Sequence, residues 1–366
     1  MDKTTQTDLY FMKKAIALAW RGSGNVHPNP MVGAILVKKN RVLGQGFHAR
    51  FGGAHAEVNA IRGAKGRAAG GTLYVTLEPC AHFGKTPPCV DLIIESKIRE
   101  VVVGALDPNP LVSGKGLRRL KKAGIRVRTG ILKTACEDLN RDYDHWIRKR
   151  MPYVTVKVAQ SLDGKIATKT GESRWISSEA SRRFSQRLRA ESDAILVGVN
   201  TVLKDDPRLS VRGLKNVRQP LKVILDSRLR ISLNARIFSK ASAGPVMVAV
   251  TQKANRAKRD ALRGKAEVVV VKEKKGKIDL RALLSELAKR GVLRVLIEGG
   301  GEVIGGAFSE KLVQEIYFFI APIIIGGEEA VSSVAGKGIM RLAEALKIRE
   351  AKVELIDGDI LVHGRL

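Results

Sequence analysis

Apolar positions along the chain switch repeatedly between a helical period and a strand period, and this alternation predicts the architecture. Residues 8–21 have helical spacing. Two apolar, β-rich segments follow, MVGAILV (31–37) and RVLGQGF (41–47), joined at a Lys-Lys-Asn turn. The pattern then predicts a short helix at about 55–63, a strand at TLYVTL (72–77) and a helix from Pro87, with Thr86 as its cap. EVVVGA (100–105) reads as a buried strand, GKGLRRLKKAG (114–124) as a helix and IRVRTG (125–130) as another strand. Over 132–147, Leu132, Ala135, Cys136, Leu139, Tyr143 and Trp146 share one helical face, which places Cys136 in the core. Repeated strand–helix–strand units predict a mostly parallel sheet with helices on both sides.

The basic stretch IRKRMPY (147–153) interrupts this pattern, with Pro152 at the join. Two domains are therefore expected, 1–149 and 150–366; a chain of 366 residues is also long for one core. The second part opens with the strand YVTVKVA (153–159). Further strands are predicted near 193–198, 221–226, 245–250, 266–271, 293–298, 315–320, 351–356 and 359–364. Helices near 177–191, 254–262, 278–290 and 301–310 alternate with them. Both domains read as α/β.

Composition narrows the setting. The longest apolar run, IYFFIAPIII (316–325), is too short to span a bilayer and contains Pro322, so no membrane association is expected. Lys13 and Lys14 interrupt the apolar N-terminal stretch, which reads as an amphipathic helix and not as a signal peptide. Three cysteines do not make a disulfide framework, so a reducing compartment, the cytoplasm, is the simpler expectation. Lys and Arg outnumber acids by 65 to 36, which favours phosphates, nucleotide cofactors or nucleic acid as partners. The excess is spread in short pieces such as RRLKK (118–122) and KEKKGK (272–277), so most of it belongs to solvated faces.

The densest chemistry lies in GGAHAEVNA (52–60) and TLEPCAHFGKTPPC (76–89). His55 and Glu57 open a helix, Cys80 ends a strand, and Cys89 opens another helix, whose N-terminus lowers a thiol's pKa towards the metal-binding thiolate. One His and two Cys supply three ligands for Zn2+ and leave the fourth position for water. Glu57, not a ligand, is placed to shuttle that water's proton. The alternative is two buried cysteines and a core histidine, which four matching residues in strand–helix context disfavour.

His-x-Glu followed by Pro-Cys-x-x-Cys is the signature of zinc-dependent nucleobase deaminases, but here eight residues separate the cysteines instead of two. The insert AHFGKTPP, with HPNPMVGA (27–34), GFH (46–48) and DPNP (107–110), resembles the deaminase half of the bifunctional riboflavin-biosynthesis deaminase/reductase family. The resemblance implies a cytidine-deaminase-like α/β/α sandwich. It also implies that Asn29, His48, His82 and Lys85 lie near the pyrimidine and its ribose phosphate.

The second half shows KVAQSLDGKIAT (157–168), GESRWIS (171–177) and RVLIEGGGEVIGGAF (294–308), the last a strand, a glycine run and a helix that would let phosphate approach backbone N–H groups. A Rossmann fingerprint is not met, because Ile304 stands at the third glycine position. The ordered set SLDGKIA, GESRWIS, GVNTVLKDDPRLSVR, DS (226–227), EGGG and APIIIGG resembles the riboflavin-pathway reductase, which implies a dihydrofolate-reductase-like α/β fold and NADPH. By that resemblance Ala159, Trp175, Thr201, Asp205 and Ser227 contact NADPH. The loop Gly300, Gly301, Glu302, Val303, Ile304, Gly305 and Gly306 adds further contacts. Ser173, Arg189, Leu209, Arg212 and Glu298 meet the substrate. Arg189 and Arg212 suit phosphate because a guanidinium fork matches its oxygens.

The family implies two reactions on a phosphorylated pyrimidine ribotide. The first is hydrolytic deamination of 2,5-diamino-6-(5-phosphoribosylamino)pyrimidin-4-one; the second is NADPH-dependent reduction of the ribosyl group to ribityl. No proton donor for the second step is evident in the sequence. The expected partners are this small ribotide and, as a homo-oligomer, further copies of the chain. A nucleic-acid-editing zinc deaminase is the rival enzyme, but the cysteine spacing and the reductase-like half have no role in editing. A zinc-stabilised nucleic-acid-binding protein is opposed by Glu57 beside an open coordination position and by few aromatics for base stacking.

Overall fold

The computed structural model describes residues 5–83, 87–215 and 217–366. The chain divides into two compact units, Met1–Arg150 and Met151–Leu366.

In the first unit the elements run α1 (Gln6–Ala19), β1 (Gly33–Lys38), β2 (Arg41–Phe47), α2 (Ala56–Gly63), β3 (Thr72–Leu77), α3 (Cys89–Glu95) and β4 (Glu100–Ala105). They continue with α4 (Lys115–Lys122), β5 (Arg126–Thr129), α5 (Lys133–Leu139) and α6 (Arg141–Lys149). The sheet has the order β2-β1-β3-β4-β5. Only β3-β4-β5 is parallel; β1 pairs antiparallel with both β2 and β3. The expected mostly parallel sheet is thus mixed. The reason is local: Lys39 and Asn40 both have positive φ, the geometry of a two-residue hairpin that reverses β1 into β2.

Both faces of the sheet are covered. Ala34, Leu36, Leu73, Val75, Val101 and Val103 pack under α2, α3 and α4. Ile35, Val37, Tyr74 and Val102 face α1 and α5, where Cys136 is fully buried. Helix α2 can lie close on β2 because of two glycines: a Cβ on Gly44 would sit 2.0 Å from the Ala60 carbonyl oxygen, and one on Gly46 2.4 Å from that of Ala56.

The single helix expected over 132–147 is two helices, α5 and α6. Asn140 breaks it with φ −120° and spends its side chain on Met31, accepting from the backbone N–H (2.7 Å) and donating to the carbonyl (2.8 Å). A side chain that satisfies a distant backbone pair outweighs helical periodicity.

In the second unit the strands are β6 (Tyr153–Ser161), β7 (Lys165–Ala167), β8 (Ala194–Gly198), β9 (Leu221–Leu225), β10 (Val246–Val250), β11 (Glu267–Val270), β12 (Glu273–Lys274) and β13 (Lys277–Ile278). They continue with β14 (Arg294–Gly299), β15 (Glu315–Ala321), β16 (Val331–Ser332), β17 (Arg349–Ile356) and β18 (Asp359–Arg365). The helices are α7 (Glu179–Ala190), α8 (Val199–Asp205), α9 (Arg256–Ala261), α10 (Leu280–Lys289) and α11 (Gly301–Ser309). Nine strands form one sheet in the order β11-β10-β9-β8-β14-β6-β15-β18-β17. It is parallel from β11 to β15, with antiparallel β18 and β17 at the edge. Helix α8 was not expected from sequence; at seven residues it is too short to show a period. The pairs β7–β16 and β12–β13 also lie outside the predicted elements.

One buried cluster in the first unit ties four elements together. Asp8 of α1 receives both terminal nitrogens of Arg128 on β5 (2.7 Å each), and the Tyr74 hydroxyl (2.9 Å). Arg128 Nε reaches Glu100 at 2.9 Å. The Arg128 guanidinium holds the Asp8 carboxyl well below the usual carboxylate range, against the opposing effect of burial. A depressed folded-state pKa contributes stability above the unfolded value, near 4, and that contribution is lost as pH falls through the folded value. Arg128→Leu is expected to cost about 3–5 kcal/mol at neutral pH, since it strands the Asp8 charge. Urea unfolding should show the loss at pH 7 and a smaller one at pH 3; equal losses at both would refute the electrostatic account.

Candidate active sites

In the first unit the ligand set converges as its elements dictate. His55 caps the start of α2, Cys80 follows β3, and Cys89 is the first residue of α3. His55 Nδ1 lies 3.2 Å from Cys89 Sγ and 3.6 Å from Cys80 Sγ, and the three ligand atoms fall within 4.8 Å of one another. Tetrahedral zinc with bonds of roughly 2.0–2.3 Å to nitrogen and sulfur needs donors spaced about 3.5 Å apart. The nitrogen–sulfur–sulfur set therefore fits zinc in both spacing and chemistry.

Protons distribute differently from the expectation that the helix start favours the Cys89 thiolate. The Cys89 backbone N–H at the head of α3 donates to Cys80 Sγ (3.3 Å), so the helix start stabilises Cys80 instead. Cys80 is pushed down to about 4, chiefly by its hydrogen bond with Cys89, while that same bond and burial push the Cys89 thiol up. Thr86, the expected cap, lies outside the described residues; Pro88 occupies the cap position with no side-chain bond.

Glu57 is 3% exposed beside this trio, and burial followed by the Cys80 charge raises its carboxyl to about 7. A carboxyl poised near neutrality can both accept and donate a proton. His48 is also buried; its Nδ1 faces the Ala54 carbonyl (3.1 Å) and its Nε2 faces the Asn29 amide nitrogen (3.2 Å). The carbonyl requires the proton on Nδ1, so Nε2 accepts from Asn29, and the two residues form one fixed unit. The His48 ring stands edge-on to His55 with centroids 5.4 Å apart. His82 is exposed, and Lys85 lies outside the described residues.

The neighbouring motifs are supports. The Glu78 carboxylate accepts from the N–H groups of Gly114, Gly116 and Leu117, at 2.9, 3.0 and 3.4 Å. Asp107 of DPNP accepts from Asn109 N–H (2.8 Å) and the Tyr143 hydroxyl (3.3 Å). The Glu78 bonds lock the chain just before Cys80 to the start of α4, and the Asp107 bonds tie the end of β4 to α6.

In the second unit the residues gather where β6, β8 and β14 end, outside the carboxyl ends of three adjacent parallel strands. Glu298 at the end of β14 is gripped by Arg189 of α7, with Nε at 3.0 and 2.9 Å from its two oxygens and Nη2 at 2.6 Å. Burial alone would raise the Glu298 carboxyl; the charges of Arg189 and Lys157 outweigh it and hold the group below its ordinary range. Lys157 of β6 is pulled below the usual lysine range by burial, against the pull of Glu298. Sequence reasoning missed Lys157. Its signal was a lone lysine in an apolar strand, YVTVKVA.

The remaining residues divide. Ser173 Oγ donates to Asp205 Oδ1 (3.2 Å), and Arg174 reaches the Asp205 carbonyl, which brings GESRWIS onto the end of α8. Trp175 is 70% exposed, with the Arg182 guanidinium 4.5 Å over its ring. Ala159 pairs opposite Phe319. The Ser227 carbonyl accepts from the Thr251 N–H (3.1 Å) and hydroxyl (2.9 Å). Leu209 has φ +53° and is buried in the core.

The glycine run does two jobs. Gly300 caps α11 with φ +84°, beside Thr201, and α11 has no side-chain cap, as suits an anion at its first turn. Gly301 and Gly305 instead admit a neighbouring segment: a Cβ on Gly305 would lie 1.5 Å from the Ala335 carbonyl oxygen. Ile304 is buried in the core, and Glu302 pairs with Lys277 at 2.9 Å on the surface. An uncapped helix start at the strand ends suits the pyrophosphate of a nicotinamide dinucleotide.

Residues 152–362 match the RibD C-terminal domain, and residues 5–105 match the cytidine and deoxycytidylate deaminase zinc-binding region. The chain is 43% identical to riboflavin biosynthesis protein RibD of Aquifex aeolicus over 357 residues, which cover 98% of each chain. The chain belongs to the RibD family. It is 38% identical to the Escherichia coli K12 relative, over 97% of this chain and 98% of that one. Among solved structures, Acinetobacter baumannii RibD superposes with a TM-score of 0.88 at 38% identity, covering 99% of both chains. A Thermotoga maritima diaminohydroxyphosphoribosylaminopyrimidine deaminase/5-amino-6-(5-phosphoribosylamino)uracil reductase gives 0.87 at 37%, covering 98% of both.

Membership makes this a bifunctional enzyme of riboflavin biosynthesis, with a zinc-binding deaminase domain followed by a dihydrofolate-reductase-like domain that uses NADPH. No helix among the described residues is long and apolar enough to cross a membrane.

Proposed function

We propose that the segment 1–149 deaminates 2,5-diamino-6-(5-phosphoribosylamino)pyrimidin-4-one in the cytoplasm, and that the segment 150–366 reduces the product. The observation that carries the first half is the buried Glu57 carboxyl against a His55–Cys80–Cys89 trio spaced for one metal ion. Zinc, when bound there, supplies Lewis acidity and an acidified water as the nucleophile. Glu57 would take the water's two protons in turn, passing one to the ring nitrogen and the other to the departing amino group, so that ammonia leaves and a carbonyl remains. Asn29 and His48, fixed by each other, orient the pyrimidine edge, while His82 and Lys85 serve the ribose-phosphate end.

NADPH supplies the hydride for the second reaction. We assign its contacts to Ala159, Trp175, Thr201, Asp205, Ser227 and the 300–306 segment, with Gly300 at the pyrophosphate. Ser173, Leu209 and Arg212 hold the ribotide, with Arg212 on its phosphate. Arg189 serves mainly to orient Glu298, whose grip occupies most of its guanidinium. Hydride reaches C1 of the ribosyl group, the bond from C1 to the ring oxygen breaks, and that oxygen takes a proton. Lys157, drawn towards neutrality by burial beside Glu298, is the group we assign to carry it.

Glu57→Gln should keep about one zinc per chain while ammonia release falls by at least about a thousandfold. Metal analysis and an ammonia assay decide it: lost zinc or retained turnover contradicts the role. Lys157→Met should lower NADPH oxidation on the deaminated ribotide by about a hundredfold and leave ammonia release unchanged. A change under about twofold in reduction would remove Lys157 from the mechanism.

A second observation favours self-association. Edge strand β17 exposes Val353 (68%) and Leu355 (78%), and the preceding segment exposes Met340 and Leu342. An apolar edge strand of this kind is a template for pairing, and we infer that a second copy of the chain covers it. Sedimentation at micromolar concentration should give an oligomer, and joint replacement of Val353 and Leu355 by Glu should give a monomer. A monomeric wild type would dismiss the inference.

A further inference from the structure

Strand β9 carries a charged side chain where its neighbours are apolar. Lys222 has no exposed surface, and it lies on a strand paired on both sides, by β8 and β10. Burying an ammonium group costs several kcal/mol unless hydrogen bonds replace its water. Its Nζ donates to the Ser242 carbonyl (2.9 Å) and to Ser242 Oγ (2.7 Å). The Ser242 hydroxyl in turn donates to the Arg208 carbonyl (2.8 Å). The same two segments are tied a second time, where Arg236 N–H donates to Asp206 Oδ1 (2.8 Å).

The segment 208–212 belongs to no sheet, and side chains meet its backbone groups instead. Arg189 Nη1 donates to the Ser210 carbonyl (3.3 Å). Gln219 brackets Val211, accepting from its N–H (2.8 Å) and donating to its carbonyl (3.1 Å). Gln186 accepts from Arg212 N–H (3.0 Å). A segment outside the sheet, held by side chains at Arg208, Ser210, Val211 and Arg212, is built to hold one shape.

That shape gathers like charges. Burial, and then the charges of Arg189, Arg208 and Arg236 in that order, hold the Arg212 guanidinium below the usual arginine range. Among the described residues, Arg208 Nε is buried without a hydrogen-bond partner. Guanidinium groups held together in this way need an anion with several oxygens, such as a phosphate monoester.

We propose that Lys222 and Ser242 are positioning residues for phosphate recognition. Through the Arg208 carbonyl they set the 206–212 segment and Arg236 so that their guanidiniums face one phosphate group, and neither residue touches the substrate. The inference rests on the reading of Arg212 as a phosphate ligand.

Reductase kinetics of the full-length enzyme test it, with the deaminated ribotide as substrate and inorganic phosphate as competing probe. Ser242→Ala removes one hydroxyl from a loop, and Lys222→Met removes the buried donor. Each should raise KM for the ribotide and the inhibition constant for inorganic phosphate by about tenfold. Both kcat and KM for NADPH should stay within about twofold. An unchanged phosphate inhibition constant, or a loss shared equally by kcat and KM for NADPH, overturns the proposal. Should Lys222→Met fail to fold, Ser242→Ala decides alone. Arg212→Gln separates the two levels. If it leaves ribotide KM and phosphate inhibition unchanged, the phosphate reading itself fails. If it raises both while Ser242→Ala does not, only the positioning role fails.

Discussion

Helices cover both faces of the central strands in each unit, and this double burial governs where polar chemistry can enter. Inside such a sheet the backbone is paired and the alternating side chains are apolar, as in Leu73–Val75 and Ile195–Val197. Charged groups therefore collect where strands end. Glu78 and Cys80 follow β3, Asp107 follows β4, Asp226 and Ser227 follow β9, and Glu298 closes β14. Helix starts meet the same ends and supply unsatisfied N–H groups. One arrangement gathers the His55–Cys80–Cys89 trio in the first unit and the Arg189–Glu298–Lys157 cluster in the second.

Charges that do lie inside are matched, and the matching separates scaffold from site. Asp8, Arg128, Glu100 and Tyr74 satisfy one another and leave no capacity for a ligand. Lys222 is satisfied by a loop and so transmits its position outward. The Cys80–Cys89–His55–Glu57 cluster instead crowds ionisable groups, and the hydrogen bond between the two sulfurs pushes Cys80 down and, with burial, pushes Cys89 up. The arginines around Arg212 crowd cations in the same way. Crowded ionisable groups of this kind mark candidate sites.

The two kinds of glycine in the chain show why a motif is not yet a site. GQG (44–46) and the second glycine group of α11 exist so that backbone can approach backbone, which seats α2 on β2 and the 332–335 segment on α11. Gly300 instead has positive φ at a helix start that no side chain caps, whereas Gly114, the comparable position before α4, meets the Glu78 carboxylate. In sequence all of them look alike.

Most strands and the longer helices were legible in the chain, because burial on one or two faces imposes a period that survives in the sequence. The zinc trio and Glu57 were legible too, because their spacing has few structural uses. Other features required the folded chain. Asn140 splits a periodic helix because it finds Met31, more than a hundred residues away. Lys157 gains its character from burial beside Glu298 and Arg189, brought to it from the end of β14 and from α7. The N–H at the head of α3 reaches Cys80, nine residues earlier, and not its own thiol. By itself the sequence determined most of the longer elements, the ligand types and the family resemblance, since these depend on local pattern and residue chemistry. Tertiary structure decided which charges are paired and which are left for a ligand, because pairing depends on contacts between residues distant along the chain.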